Sequence, residues 1–444
     1  MKFVHAADLH LDSPLRGLER YEGAPVERMR GATRRAFENL IELCLAEDVA
    51  FLLLAGDIFD GDWKDYGTGL FFIAQLARLG QAGIPTYLVR GNHDAASQIT
   101  RYLPLPADVH ELGSRQAETK VLETPRGAVA IHGQSFATRA VTEDLAVDYP
   151  LPVRGLFNIG LLHTCVEGRV GHEPYAPCSV AGLTAKGYDY WALGHVHARE
   201  VLARDPWIVF PGNLQGRHAG ETGPKGATLV VVEDGRVTAV EARALDVVRW
   251  VRCEVDAVDC ASAEDAIDAA RAALGSAFAQ GDGRLVAAPV TLRAGATVHR
   301  ALVADAEHWK QQLRAIALDV AGDGLWVERV RFKAGGEQQQ GVVLTDAAHG
   351  NGNANRNGNR GAAGDEDAVA QFVTALRNLR RDDVELAKLS DEFLELKRKL
   401  PSELREGIGD EALRLDDADT LRRLLDEVES LVVGRLAGRH GDNP

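Results

Sequence analysis

Acidic, amide and imidazole side chains follow five short apolar stretches in the first half of the sequence. They are Asp8 and His10 after KFVHAA, Asp57 after AFLLLAG, Asn92 and His93 after PTYLVRG, His163 after NIGLL, and His195 and His197 after YDYWALG. In open α/β sheets, ligands bind where the carboxyl ends of the strands meet. If the five stretches are strands of such sheets, their polar groups face one crevice.

The residue types predict metal binding in that crevice. Carboxylate, amide and imidazole ligands without thiolate suit Mn²⁺, Fe²⁺ or Zn²⁺. Seven of these eight side chains, all except His93, are candidate ligands, which is too many for one ion but suits two ions about 3.5–4 Å apart that share a carboxylate. Such a pair stabilises both the attacking and the leaving oxygen of an in-line displacement, so we expect phosphoester hydrolysis. Taken alone, GNHD at 91–94 would equally fit a turn. Its occurrence together with polar residues at the ends of four other strands favours the metal site.

The apolar pattern around these groups predicts a layered α/β fold. Apolar runs of strand length alternate with helical patterns such as 33–47 and 69–82. The sequence predicts one such domain over residues 1–245. Residues 246–334 then predict a small α+β module with strands and helices in the order βαβαβ.

The remainder of the chain predicts a linker and a helical tail. Residues 335–364 are rich in Gly, Asn and Gln, a composition that buries too little apolar surface to fold. Residues 365–444 carry apolar side chains at helical spacing, among them Leu386, Leu389, Phe393, Leu396 and Leu400. These helices either pack on each other as a small bundle or, in the interpretation we favour, dock another helical protein.

The composition of the chain limits the cellular compartments and the binding partners to be expected. Asp8 interrupts any signal-peptide core, and no apolar run reaches the roughly 18 residues of a membrane span, so we expect a cytoplasmic protein with no membrane association. Five cysteines without a CxxC pair argue against a disulfide framework or a zinc finger. The net charge of −15 disfavours nucleic-acid binding unless a partner supplies basic surface.

The motif set DLH, GDIFD, GNHD, H and GHVH resembles that of the calcineurin-like metallophosphoesterases. Within them, HAADLHLDSPL, YDYWALGHVH and PGNLQGRHAGETGPKG are similar to the SbcD-type DNA repair exonucleases, YhaO-like branch. The motifs cover residues 1 to about 240, and the 246–334 module resembles the family's capping, DNA-contacting domain in placement. The resemblance implies a metallophosphoesterase sandwich and a DNA exonuclease or endonuclease that hydrolyses phosphodiester bonds with two Mn²⁺ ions. It also implies an SMC-like ATPase partner bound through the C-terminal helices, and a homodimer.

The resemblance also implies individual roles. One ion would be held by Asp8, His10, Asp57 and His197, and the other by Asp57, Asn92, His163 and His195. His93 would donate a proton to the leaving oxygen, and we expect Asp94 to orient it. Asp60 stands where some relatives have a histidine near the substrate phosphate.

Arg217 and Lys225 follow the GHVH motif and are candidates for contact with substrate phosphates. Two other functions stay open. One is a phosphodiesterase or phosphatase of the same fold that acts on nucleotides or other phosphoesters. The other is a metal-bound scaffold without activity whose tail recruits the partner.

Overall fold

The computed structural model describes residues 1–13, 25–60, 66–96, 104–166, 175–335 and 374–393, with 417, 419–422, 424–425 and 428. The chain forms two compact units. One contains Met1–Arg252, Ala277–Pro289 and Ala321–Glu328, and the other contains Cys253–Ser276, Val290–Val320 and the described part of Arg329–Pro444. The domain boundaries expected from the sequence stay predictions. Apart from Gly335, the predicted linker lies outside the described residues.

The first sheet has six strands. In sheet order they are β12 (Arg236–Ala244), β11 (Gly226–Glu233), β1 (Lys2–Ala6), β2 (Leu52–Ala55), β3 (Thr86–Val89) and β4 (Val109–Glu111). The pairs from β1 to β4 are parallel, and β11 and β12 extend the sheet in antiparallel fashion. β2 reads LLLA and is buried along its whole length, as expected for a parallel strand covered on both faces.

The second sheet also has six strands. Their order is β5 (Glu118–Thr124), β6 (Gly127–Gly133), β7 (Phe157–His163), β8 (Tyr190–Gly194), β10 (Trp207–Phe210) and β9 (Glu200–Arg204). The four central strands are parallel and the two outer pairings are antiparallel. In both sheets the central parallel strands therefore end at the same edge.

The two sheets pack face to face with helices outside them. Apolar side chains of both sheets form one buried cluster, in which the rings of Phe3 and Tyr190 lie 5.3 Å apart. The first unit's helices are α1 (Val26–Arg30), α2 (Ala32–Ala46), α3 (Tyr66–Gln81), α4 (Asn92–Ala96) and α5 (Val180–Ala185). α2 and α3 cover the first sheet through Phe37 and Phe72, and α5 covers the second through Leu183. The layered α/β fold predicted from the sequence is confirmed.

The chain after residue 246 contains further strands and helices. They are β13 (Val248–Trp250), β14 (Cys253–Ala257), α6 (Ala263–Ala279), β15 (Leu285–Ala294), α7 (Ala296–Ala304), α8 (Ala306–Ala321) and β16 (Leu325–Ala334). β13 and β14 each pair in parallel with β15, and β16 also pairs with β15. The order is the expected βαβαβ, except that two strands open it and two helices, α7 and α8, stand where one was predicted.

The C-terminal residues that are described are helical and pack on each other. Helix α9 spans 374–381 and α10 spans Asp383–Glu392. Leu386 and Leu421 are buried together, and Phe393, Leu424 and Leu425 pack against them. This contact fits the bundle interpretation of the tail, while docking of a partner stays a prediction. Leu396 and Leu400 lie outside the described residues. Among the helices that are described, none has the length and apolarity needed to cross a membrane.

Candidate metal centre

The strand-end residues predicted from the sequence come together at one edge of the two sheets. They follow β1 (Asp8, His10), β2 (Asp57), β3 (Asn92), β7 (His163, its last residue) and β8 (His195, His197). Five of the seven residues are buried, His195 is partly buried, and the side chain of His197 is 25% exposed. Their ligand atoms form two neighbouring clusters.

The first cluster contains Asp8, His10 and His197, with one ligand atom of each within 4.8 Å of the others. Nε2 of His10 lies 3.2 Å from Nε2 of His197. The same nitrogen of His197 lies 3.9 Å from Oδ1 of Asp8. Two imidazole nitrogens and a carboxylate thus converge on one point.

The second cluster contains Asp57, His163 and His195, which meet the same 4.8 Å limit. Nε2 of His163 lies 3.5 Å from Oδ2 of Asp57 and 3.0 Å from Oδ1 of Asn92. This cluster therefore gathers four of the predicted ligands.

Asp57 lies between the two clusters. Its Oδ2 is 3.5 Å from Nε2 of His163 in the second cluster and 4.0 Å from Nε2 of His10 in the first. Its Oδ1 accepts a hydrogen bond from the backbone N–H of His93 at 3.0 Å. A carboxylate placed in this way is suited to bridge two ions.

The surroundings of these side chains fit divalent cations. Asp8 and Asp57 are 1% and 2% exposed, and buried carboxylates need a partner of positive charge. Burial and then the charge of Asp57 raise the pKa of the Asp8 carboxyl, so a cation between them would relieve an unfavourable charge. Burial and then the charge of Arg217 hold the pKa of His10 well below its usual range, which keeps this ring neutral. His10 Nδ1 is buried without a hydrogen-bond partner. Carboxylate oxygens and neutral imidazoles are the ligands that such ions take.

Two family models match the chain. The model of the calcineurin-like phosphoesterases matches residues 1–199, and that of the middle domain of the metallophosphoesterase YhaO matches residues 250–335.

The chain contains a calcineurin-like metallophosphoesterase domain.

Curated proteins similar to this chain include an uncharacterized metallophosphoesterase, a DNA repair protein and a subunit of a nuclease. The uncharacterized metallophosphoesterase YhaO of Bacillus subtilis is 38% identical over 58% of this chain and 64% of its own. The DNA double-strand break repair protein Mre11 of Sulfurisphaera tokodaii is 26% identical over 52% of this chain and 59% of its own. A component of the nuclease SbcCD from Rhodobacter capsulatus is 35% identical over 32% of this chain and 33% of its own. The chain thus spans between one third and slightly under two thirds of these relatives' length.

The backbone of the metallophosphoesterase domain is strained at its candidate ligands. Asp8, His10, Asp57 and His195 have φ of 52°, 43°, 50° and 105°, in the left-handed region that residues with a Cβ rarely occupy. Such strain persists only where the surrounding structure compensates for it, and it is concentrated at functional sites. A Cβ on Gly91 would lie 2.2 Å from Oδ1 of Asp57, which explains why glycine precedes Asn92.

The imidazole of His163 is oriented by the backbone. Its Nδ1 donates to the carbonyl of Ala55 at 2.9 Å, and a carbonyl only accepts, so Nδ1 carries the hydrogen. Burial lowers the pKa of His163, and the neutral ring then directs its Nε2 lone pair toward Asp57. This is the arrangement usual for a metal-binding histidine.

The carboxylate beside His93 is Asp60, which differs from the expectation for Asp94. Nδ1 of His93 lies 2.7 Å from Oδ1 of Asp60, whose Oδ2 accepts from the hydroxyl of Ser13 at 2.7 Å. Burial lowers the pKa of His93, but the bond to Asp60 and nearby negative charge outweigh it, so the pKa lies above its ordinary value.

The carboxylate of Asp94 instead stabilises the loops. It accepts from the backbone N–H groups of Ile58, Phe59 and Gly91 at 3.0, 2.9 and 3.1 Å. These bonds use its oxygens for loop structure, so the assignment of Asp94 as the residue that orients His93 is corrected to Asp60.

Arg217 and Lys225 lie beside the metal centre but contact protein groups. The guanidinium of Arg217 is 3.3 Å from Ser13 Oγ, 3.6 Å from Asp60 and 3.5 Å from Glu221. Nζ of Lys225 donates to the carbonyl of His197 at 2.8 Å. Their contact with substrate phosphates stays a prediction.

Glu221 is a site residue that the sequence reasoning missed. Its Oε1 accepts from Nδ1 of His197 at 2.6 Å. Burial alone would raise the pKa of Glu221, but Arg217 and His197 hold it well below its usual range. The only signal in the sequence was its position between Arg217 and Lys225 in the stretch that follows the GHVH motif.

Proposed function

We propose that the protein is a DNA nuclease that hydrolyses phosphodiester bonds with two divalent metal ions. The observation that carries this proposal is Asp57, whose Oδ2 lies 3.5 Å from His163 and 4.0 Å from His10 in two adjacent ligand clusters. The relatives named for double-strand break repair and for a nuclease support DNA as the substrate. We further propose that the protein works as an exonuclease or endonuclease in DNA repair in the cytoplasm.

The candidate ligands fall into two sets, one for each metal ion. Asp8, His10, His197 and Asp57 would hold one ion, and Asp57, Asn92, His163 and His195 the other. Two bound divalent ions would supply Lewis acidity toward the phosphate oxygens and a water nucleophile at neutral pH. We propose Mn²⁺ as the metal, in keeping with the mixed oxygen and nitrogen donors.

We propose His93 as the acid. Its side chain is 34% exposed, while the ligands His10 and His163 beside it are 1% and 0% exposed. Asp60 holds its Nδ1, which leaves Nε2 to donate a proton to the leaving oxygen.

The acidic chain is expected to bind DNA weakly by itself, and we propose that a partner strengthens this binding. With a net charge of −15, the protein gains little from phosphate contacts on its own. We propose an SMC-like ATPase, bound through the C-terminal helices, as the partner that contributes basic surface, and a homodimer of the metallophosphoesterase domain. Pull-down of the tagged ATPase by the full chain, but not by a chain ending at residue 364, tests this docking.

The test of the function is digestion of end-labelled linear duplex and single-stranded DNA with Mn²⁺. Wild type should degrade DNA, and His93→Ala should bind metal but lose about 10²–10⁴-fold in rate. Asp148→Asn is the matched control, since this exposed carboxylate belongs to the same domain and should leave the rate unchanged. Hydrolysis of an aryl phosphodiester without any cleavage of DNA, even with the ATPase added, would replace the nuclease by a phosphodiesterase.

A further inference from the structure

Glu221 lies against one edge of the His197 ring, opposite the edge that faces the first ligand cluster. Oε1 of Glu221 is 2.6 Å from Nδ1 of His197, whereas Nε2 of the same ring is 3.2 Å from Nε2 of His10. We propose that Glu221 is a positioning residue that fixes the tautomer and the orientation of His197 for metal binding. The proposal rests on the metal centre and does not depend on DNA being the substrate.

The hydrogen bond determines which ring nitrogen is free. An ionised carboxylate only accepts, so the hydrogen of the neutral His197 ring resides on Nδ1. The lone pair then resides on Nε2, which lies 3.9 Å from Oδ1 of Asp8 within the first cluster. A carboxylate on the far nitrogen also increases the basicity of a histidine ligand.

Glu221 is itself rigidly held. It is 5% exposed, and its Oε2 accepts from the backbone N–H of Arg217 at 2.7 Å and from Nδ2 of Asn213 at 2.9 Å. The guanidinium of Arg217 lies 3.5 Å from Oε1. Because donors on both oxygens define the plane of the carboxylate, the His197 ring has one preferred orientation.

The same chain segment also holds the backbone of His197. The carbonyl of His197 accepts from Nζ of Lys225 at 2.8 Å and from the N–H of Asn213 at 3.2 Å. Residues 213–225 thus contact both the ring and the main chain of this ligand. Lys225 therefore supports the main chain of a candidate ligand.

The effect of Glu221 should be confined to one ion. In the second cluster, Nδ1 of His163 donates to the backbone carbonyl of Ala55, a contact that a change at Glu221 does not remove. Loss of the Glu221 carboxylate should therefore weaken the ion held by Asp8, His10 and His197 and spare the ion held with His163.

Calorimetric titration of the metal-free full chain with Mn²⁺ tests this inference. Glu221→Gln keeps the size of the side chain but removes the charge, and it should weaken one of two sites about 10–100-fold. Glu47→Gln is the matched control, because Glu47 pairs with Lys2 at 2.7 Å outside the metal centre, and both affinities should stay as in wild type. If Glu221→Gln does not fold, Glu221→Asp retains the charge with a shorter reach and should show the same one-site loss.

A second titration separates positioning from a general structural role. In a His197→Ala background the ligand is already gone, so Glu221→Gln should cause no further loss of affinity. Unchanged affinities in Glu221→Gln, equal weakening of both sites, or a further loss in the His197→Ala background would each overturn the inference, as would a wild type that does not bind two ions. A wild type that binds two ions, loses one selectively in Glu221→Gln and yet cuts no DNA would overturn the nuclease proposal and leave this inference standing.

Discussion

Oδ1 of Asp60 lies 2.7 Å from Nδ1 of His93, although 32 residues separate them in the sequence. The contact joins the loop after β2 to the first turn of α4, and it leaves the other ring nitrogen of His93 free for proton transfer. Asp60 is in turn held by Ser13 at 2.7 Å, so the pair is fixed before substrate arrives.

Replacement of Asp60 should slow phosphodiester hydrolysis without loss of metal. In Asp60→Asn the imidazole of His93 loses the charged partner that orients it, and we expect a fall in kcat of about 10–100-fold, below the full 10²–10⁴-fold contribution of a general acid. The rate on an aryl phosphodiester and the Mn²⁺ stoichiometry check this together. An Asp60→Asn enzyme with the wild-type kcat would remove the orienting role.

Replacement of Asp94 should affect stability before catalysis. Asp94→Ala leaves the N–H groups of Ile58, Phe59 and Gly91 without their acceptor in a buried loop. At about 1–3 kcal/mol for each buried group left unsatisfied, we expect the free energy of unfolding to fall by roughly 2–5 kcal/mol in total, since solvent can reach part of the relaxed loop. Urea unfolding of the metal-free protein measures it.

His93→Ala is the comparison for Asp94→Ala, because its side chain is partly exposed. It should change the free energy of unfolding by no more than about 1 kcal/mol. Equal stability of the two variants would argue that Asp94 contributes nothing to the loops.

Because Asp57 lies between the two ligand clusters, its replacement and that of His10 should leave different numbers of bound ions. Asp57→Ala removes a carboxylate that lies near both clusters, so both ions should be lost or strongly weakened. His10→Ala removes a ligand from the first cluster alone, and one ion should remain. Metal analysis after dialysis against low Mn²⁺ gives the stoichiometry, and retention of two ions by Asp57→Ala would contradict the bridging position.

Gly91 should tolerate no side chain. In Gly91→Ala the new Cβ would lie 2.2 Å from Oδ1 of Asp57, so the carboxylate or the loop must shift and Mn²⁺ affinity should fall at least tenfold. Gly275 in α6 is the matched control, because the nearest atom to its new Cβ is 4.0 Å away. Gly275→Ala should leave metal binding intact and raise the free energy of unfolding by about 1 kcal/mol. Titration calorimetry and urea unfolding distinguish the two variants, and normal metal binding by Gly91→Ala would show that the loop has room.

The fold and the grouping of the candidate ligands could be predicted because both depend on local patterns. Strand-length apolar runs separated by helical periodicity specify a layered α/β domain, and the confirmed sheets follow those runs. Polar residues directly after parallel strands must emerge at one edge of a sheet, so Asp8 and Asp57, which follow neighbouring strands of the first sheet, could be expected to meet from their chain positions alone. The helices of the tail were equally visible in the 3–4 spacing of their leucines, of which Leu386 is buried against Leu421.

Residue patterns along the chain were therefore sufficient to predict the class of fold, the residue types of the candidate metal ligands and the strands that carry each one. The pairing of each carboxylate with its histidine depends on how the folded chain packs. Asp60 rather than Asp94 contacts His93, and Glu221 contacts His197. These side chains lie in loops, and contacts with segments distant in the sequence determine the conformation of those loops. The left-handed φ of 52° at Asp8 and 43° at His10 is held by hydrogen bonds to the loop after β2, including His10 N–H to Asp57 O at 3.0 Å. Such long-range bonds have no signature in residue spacing, since they form only once the two strands lie side by side.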